Sequence, residues 1–148
     1  MTASVGPVSG TKLFITDPGT PVASPDPWVE IKDISNLGDI SQNFAAITVS
    51  SIGDGDDYEL KGQRTYPNFQ LQLNRNDSDA GQIALKAASA ATRGSLYNFK
   101  IEETDGGTVV WKGEVFGYGP SYGGSGSLRS VKTSISIRPT TVTITLSA

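Results

Sequence analysis

The densest run of side chains able to do chemistry is Asp54, Asp56, Asp57 and Glu59, four carboxylates within six residues. Hard cations such as calcium favour several carboxylate oxygens, so a metal loop is the first reading to test. It fails the EF-hand pattern: Tyr58 stands at the fifth position and the glycine of the sixth is missing. A solvated loop, or one pairing with cations of a neighbouring subunit, fits better. The Gly-rich stretch 117–127 has no suitably spaced Lys-Ser or Lys-Thr pair, and the alternation on either side predicts a hairpin rather than a phosphate loop. Glu102 and Glu103 are neighbours in an alternating run, so they point to opposite faces and cannot flank one glycosidic bond. Histidine and cysteine are both absent, which removes the commonest general base, the thiolate nucleophile and zinc-thiolate sites. Trp28, Trp111, Tyr118 and Tyr122 could form a sugar-binding platform. Trp111 shares a face with Val109 and Val115, which favours core packing there, while Tyr118 and Tyr122 stay open. Catalysis finds no support, and no cofactor or resident metal is expected.

What must position these residues is a chain of 148 residues, the size of one domain. Its 36% hydrophobic and 18% charged residues are too apolar and too weakly charged for disorder throughout. No run of about 20 apolar residues is present to span a bilayer. Twelve Lys and Arg against fifteen Asp and Glu leave a net charge of −3, without the basic stripe that binds nucleic acid by counterion release. Met1 to Gly10 reads as a flexible terminus with neither a cationic start nor an apolar h-region, so folding in a cytoplasm is expected. Asn76-Asp77-Ser78 then matches the glycosylation pattern by chance.

Period-two alternation dominates, in short runs separated by Gly, Pro, Asp and Ser. It predicts strands over 11–16, 28–32, 45–50, 68–73, 97–102, 109–115, 131–138 and 142–146. The clearest sets Phe69, Leu71 and Leu73 against Asn68, Gln70 and Gln72. One segment differs: Ala80, Ile83, Ala84, Ala87, Ala88 and Ala91 follow helical spacing over Asp79 to Ala91. Asn76 is the expected cap, Asp79 the residue reaching back, and Gly94 the stop. A stripe of alanines implies close approach to a flat partner. Two long connections are expected, Ser51–Pro67 and Gly117–Ser127. The fold class is therefore mainly β, an antiparallel sandwich or barrel with one α-helix packed against it. Its polar strand faces are rich in Ser, Thr, Asn and Gln, which suits the wall of a water-filled passage and equally any solvated sheet.

The order of elements adds a resemblance. A strand with an acidic polar stretch leads into Asp79-Ala80-Gly81-Gln82-Ile83-Ala84-Leu85 and a small-residue helix. Then come Tyr97 to Glu102, the turn Thr104-Asp105-Gly106-Gly107, Val110-Trp111-Lys112-Gly113-Glu114-Val115, and the Ser/Thr-rich Val131 to Arg138. From Lys12 to Leu146 this arrangement resembles the major tail tube proteins of long-tailed, non-contractile phages and related proteins of phage-like particles. It departs at Pro139-Thr140-Thr141, where relatives carry a Gly-containing turn.

The resemblance implies a structural virion protein. Its hexameric rings stack into a tail tube, each subunit adding strands to a continuous inner β-barrel with the helix outside. It implies assembly in the host cytoplasm, and tape measure, tail tip and terminator proteins as partners. Viral DNA would pass through the lumen without specific binding, and no membrane is involved. The long early loop would reach a neighbouring ring, which makes Asp54, Asp56, Asp57, Glu59, Lys61 and Arg64 the expected contact residues. Two alternatives stand beside it: a β-sandwich module binding carbohydrate or an adhesin partner through Tyr118 and Tyr122, and a type VI secretion-like ring protein.

Overall fold

The run from Phe69 becomes a strand in which Phe69, Leu71 and Leu73 are sealed from water while the alternate positions are not. In the computed structural model, which describes residues 9–16, 28–50, 52–53 and 55–146, the same logic repeats along most of the chain. The strands are β1 (Lys12–Thr16), β2 (Val29–Ile31), β3 (Ile34–Asn36), β4 (Asn43–Ser50), β5 (Asp57–Thr65) and β6 (Phe69–Asn74). Helix α1 (Ala80–Ser89) follows, then β7 (Tyr97–Glu102), β8 (Thr108–Gly113), β9 (Val115–Ser121) and β10 (Ser130–Ile135). A single 3-10 turn, Pro139–Thr141, leads to β11 (Thr143–Thr145). The chain is thus mainly β with one α-helix among the described residues, as the alternation predicts.

The strands form a five-stranded sheet, β11-β8-β7-β1-β2, a four-stranded sheet, β3-β6-β10-β9, and a separate two-stranded sheet, β4-β5. Every pairing is antiparallel. The core draws Leu13, Ile15, Phe99 and Trp111 from the larger sheet and Phe69, Leu73, Val131 and Ile135 from the smaller. Trp111 joins them: its ring lies 5.2 Å from Phe69, tilted by 60°, and 5.5 Å from Phe99, stacked at 19°. Offset and tilted pairs of this kind add about 0.5–1.5 kcal/mol each beyond area burial. Trp111 is therefore a core residue and belongs to no binding platform.

Helix α1 closes one side, packing on β1 and β2 of one sheet and β9 of the other. Its cap is Asp79 rather than Asn76: the Asp79 carboxylate accepts from the Gln82 amide at 3.1 Å and from the Lys32 amide at 3.0 Å. Asn76 instead accepts from the Ser78 amide at 3.1 Å and shapes the turn before the helix. The helix ends at Ala90, so Gly94 (φ +93°) serves a later turn and is not its stop. The buried positions are Gly81, Gln82, Leu85 and Ala88, while Ile83 is left 55% exposed. The expected alanine stripe is rotated because Gln82 is worth burying. Its amide donates to the Lys32 and Asn74 carbonyls (3.0 and 2.9 Å) and accepts from the Asn76 amide (2.9 Å). Buried and satisfied, it ties the helix to the ends of β2 and β6. Gly81 allows the approach, since a Cβ there would lie 2.1 Å from the Glu30 carbonyl oxygen.

Two expected loops contain strand. Residues 51–67 contain β5, and the Gly-rich stretch 117–127 begins as the continuation of β9, with the open connection confined to 122–129. Glycine removes side chains but not main-chain pairing, and β10 supplies a partner along the whole of β9. The final strand, after the Pro139 turn, pairs with β8 through Thr143–Val110 and Thr145–Thr108.

Candidate functional site

The hairpin β4–β5 stands apart from both large sheets. Its register places Ile47 opposite Leu60 and Val49 opposite Tyr58, so these four share one face. Thr48 opposite Glu59, Ala46 opposite Lys61 and Ser50 opposite Asp57 make the other face polar. A register shift between Phe44 and Ala46 sets Gly62 and Gln63 against Ala45, a two-against-one bulge that bends the ribbon. Ile47, Leu60 and Tyr58 are each more than half exposed, and Phe44 is 41% exposed. An apolar sheet face left in water is a surface awaiting cover. A two-stranded ribbon is marginally stable in isolation, and neither of its outer edges pairs with another strand among the described residues.

The expected contact residues distribute themselves along this ribbon. Asp54 lies outside the described residues. Asp56 sits in the turn, while Asp57, Glu59 and Lys61 lie on the polar face, all exposed. None of Asp56, Asp57 and Glu59 is in an ion pair among the described residues. Lys61 rests over the Phe44 ring at 5.0 Å. Arg64 is placed differently: half-buried at the root, it donates through Nη2 to the Pro139 carbonyl at 3.1 Å, anchoring the ribbon to the 3-10 turn. Among the described residues no group of three carboxylates converges to hold a metal ion.

Alternation in Tyr58 and Leu60 against Asp57, Glu59 and Lys61 was the signal for β5, masked by the weight of acidic side chains.

The outer faces of the two large sheets differ in charge. On the four-stranded sheet, Gln70, Ser134 and Gly117 lie in one row and Gln72, Lys132 and Gly119 in the next. This face is hydrogen-bonding, with Lys132 the one charge in these two rows; the Gln70 amide donates to the Ser134 hydroxyl at 3.2 Å. On the five-stranded sheet, Lys100 lies over Phe14 (4.7 Å) and Trp28 (5.0 Å) and 3.7 Å from Glu102.

A third feature lies before α1, where Arg75, Asp77, Ile83, Lys86 and Tyr118 line a surface cavity of about 260 Å³. Arg75 Nε is 2.9 Å from Asp77 Oδ1, and this hydrogen bond holds the Asp77 carboxyl below the usual carboxylate range, with Arg129 and Lys86 adding to the effect. Partial burial pushes the Tyr118 phenol up. Tyr122 is exposed, and with Trp111 in the core and Trp28 beneath Lys100 the four aromatics form no common platform.

The sequence matches no protein-family model and no curated protein. Solved structures do share the architecture. A chain of the anti-feeding prophage baseplate, 6-fold symmetrised, superposes with a TM-score of 0.64 at 9% identity, over 90% of this chain and 91% of that one. What is shared is the fold. A chain of the extracellular contractile injection system PVC sheath/tube terminator, in its extended state, gives 0.61 at 12% identity, over 97% and 100%. A chain of the anti-feeding prophage tube terminating cap gives 0.61 at 18% identity, over 100% and 96%.

Proposed function

We propose that the chain is a structural, non-enzymatic tube subunit: copies join edge to edge into closed hexameric rings, and the rings stack into a conduit for DNA. The observation that carries this is the β4–β5 ribbon, strands of eight and nine residues whose apolar face and both edges find no partner among the described residues. Main-chain pairing between copies satisfies those groups and removes the aggregation hazard of an open edge. The four-stranded sheet ends in β3 and β9, and joining β9 of one copy to the β3–β4 side of the next closes a barrel.

In that barrel the Gln, Ser and Gly face of the four-stranded sheet lines the passage. A lumen with little positive charge lets a polyanion slide rather than bind. Asp54, Asp56, Asp57, Glu59 and Lys61 then meet a neighbouring subunit or ring, with Arg64 holding the ribbon in place. Tape measure, tail tip and terminator proteins are the further partners, and the tube is assembled in the host cytoplasm as part of a virion tail.

The sequence resemblance favours a non-contractile tail. Of the solved structures of the same fold, one is described as the sheath/tube terminator of a contractile injection system and one as a tube terminating cap, which supports the tube role itself. Negative-stain microscopy of concentrated protein tests the proposal. Rings or tubes with an opening wide enough for duplex DNA are expected, with hydrogen exchange slowed at β4 and β9 on assembly. Globular particles at every concentration, or rings in which those edge amides exchange as in the monomer, overturn it.

A further inference from the structure

The carboxylates of the ribbon need a counterpart, and among the described residues a cluster of cations surrounds the cavity before α1. Arg75 and Lys86 line the cavity before α1. The Arg75 amide donates to the Arg129 carbonyl at 2.9 Å, which brings the third cation alongside. Asp77 is the carboxylate set among these three, and it is bonded to Arg75 alone of them. Two further carboxylates adjoin this corner, Asp33, which accepts from the Asn76 side-chain amide at 2.9 Å, and Asp79, committed to the helix cap, so the charge on offer is the two exposed cations Lys86 and Arg129. Lys86 and Arg129 are exposed and make no ion pair among the described residues.

The other half of the match is the end of the ribbon. Asp57 and Glu59 are two positions apart on one face of β5, which sets their side chains about 6.6 Å apart at roughly 3.3 Å per residue. Asp56 precedes them, in the connection between β4 and β5. These carboxylates are exposed and make no ion pair among the described residues, on a ribbon that belongs to neither large sheet.

We infer that the acidic end of the ribbon, through Asp56, Asp57 and Glu59, docks on the cationic cavity of a second copy at Arg75, Lys86 and Arg129. The inference rests on the tube reading for its occupant, a neighbouring subunit, and adds the receiving surface. Each exposed pair is weak by itself, but the contact repeats at every subunit of a ring, so its effect multiplies and falls with salt.

The test uses charge exchange in the full chain. Lys86→Glu with Arg129→Glu, and separately Asp57→Lys with Glu59→Lys, should each raise the concentration needed for assembly about tenfold or more, and the four changes together should restore most of that loss. All four side chains are exposed, so the thermal midpoint of the monomer should move little; it serves as the folding control. Because the chain contains no cysteine, Glu59→Cys and Lys86→Cys copies mixed under mild oxidation should form a disulfide-linked heterodimer, which a Glu59→Cys and Lys12→Cys mixture should not.

Rings that form normally from both reversed variants, or a quadruple variant no better than the worse pair, overturn the docking while leaving the tube reading intact. A specific cross-link in protein that never closes into rings upholds the docking and removes the tube reading. Absence of both cross-link and rings removes both.

Discussion

Strands β6 and β4 carry comparable alternation and meet opposite fates. In β6 the apolar side chains Phe69, Leu71 and Leu73 lie at 0–2% exposure under the opposing sheet. In the β4–β5 ribbon Ile47, Leu60 and Tyr58 stay more than half exposed, although Ile47 and Leu60 face each other across the strands as well as any core pair. Alternation states that a strand has a face to bury. It does not state which molecule supplies the cover. In the sandwich the cover is the same chain; in the ribbon we assign it to another copy.

The sharpest way to break this contrast is at the centre of the sandwich. Trp111 is fully buried between Phe69 and Phe99, so Trp111→Ala removes a large apolar volume and leaves a cavity. The expected loss is about 3–5 kcal/mol, visible as a large fall in the denaturant midpoint of the monomer. A loss below about 1 kcal/mol would mean that the two sheets are not held by one core.

Trp111 is buried as its alternation with Val109 predicts, but the expected strand 109–115 is broken at Gly113, and Val115 joins the core from β9 of the other sheet. Most strands were legible for the same reason. The exceptions have physical causes. β3 is three residues long, too short to show a period. β5 mixes Tyr58 and Leu60 with Asp57, Glu59 and Lys61, and the acidic residues read as a loop. β9 carries Gly117, Gly119 and Pro120, residues that usually mark turns, yet pairs along its length with β10. The helix was found and its buried face was not: alanine fits either side, and Gln82 is inside because three backbone groups beyond the helix need it. The receiving cavity was not legible at all, since Arg129 is 54 residues from Arg75 and is brought beside it by a main-chain bond between two strand ends, while Lys86 comes from α1.

A smaller effect is expected at the seam between helix and sheet. Asp79→Ala removes the cap on Gln82 and leaves the Lys32 amide without its carboxylate. The expected cost is about 1–2 kcal/mol in monomer stability. Amides of β2 and α1 should exchange faster while those of the ribbon stay as they were, because the ribbon packs on neither element. Equal acceleration in β4 and β5 would show that the two regions are coupled through the helix, contrary to the contrast drawn between them.

The least change in stability, and the greatest in behaviour, is expected from Ile47→Ser with Leu60→Ser. Both side chains are already about half in water, and neither belongs to the buried core, so the monomer should keep its stability within about 0.5 kcal/mol per substitution. Assembly should fail, because polar side chains at this cross-strand pair take away the apolar area that a neighbour would cover. Denaturant unfolding measures the first outcome and light scattering of concentrated protein the second. A marked loss of monomer stability would place the ribbon's apolar face against its own chain; unchanged assembly would leave that face without the cover assigned to it. Only the combination of a stable monomer and lost rings is what a face buried by another copy requires.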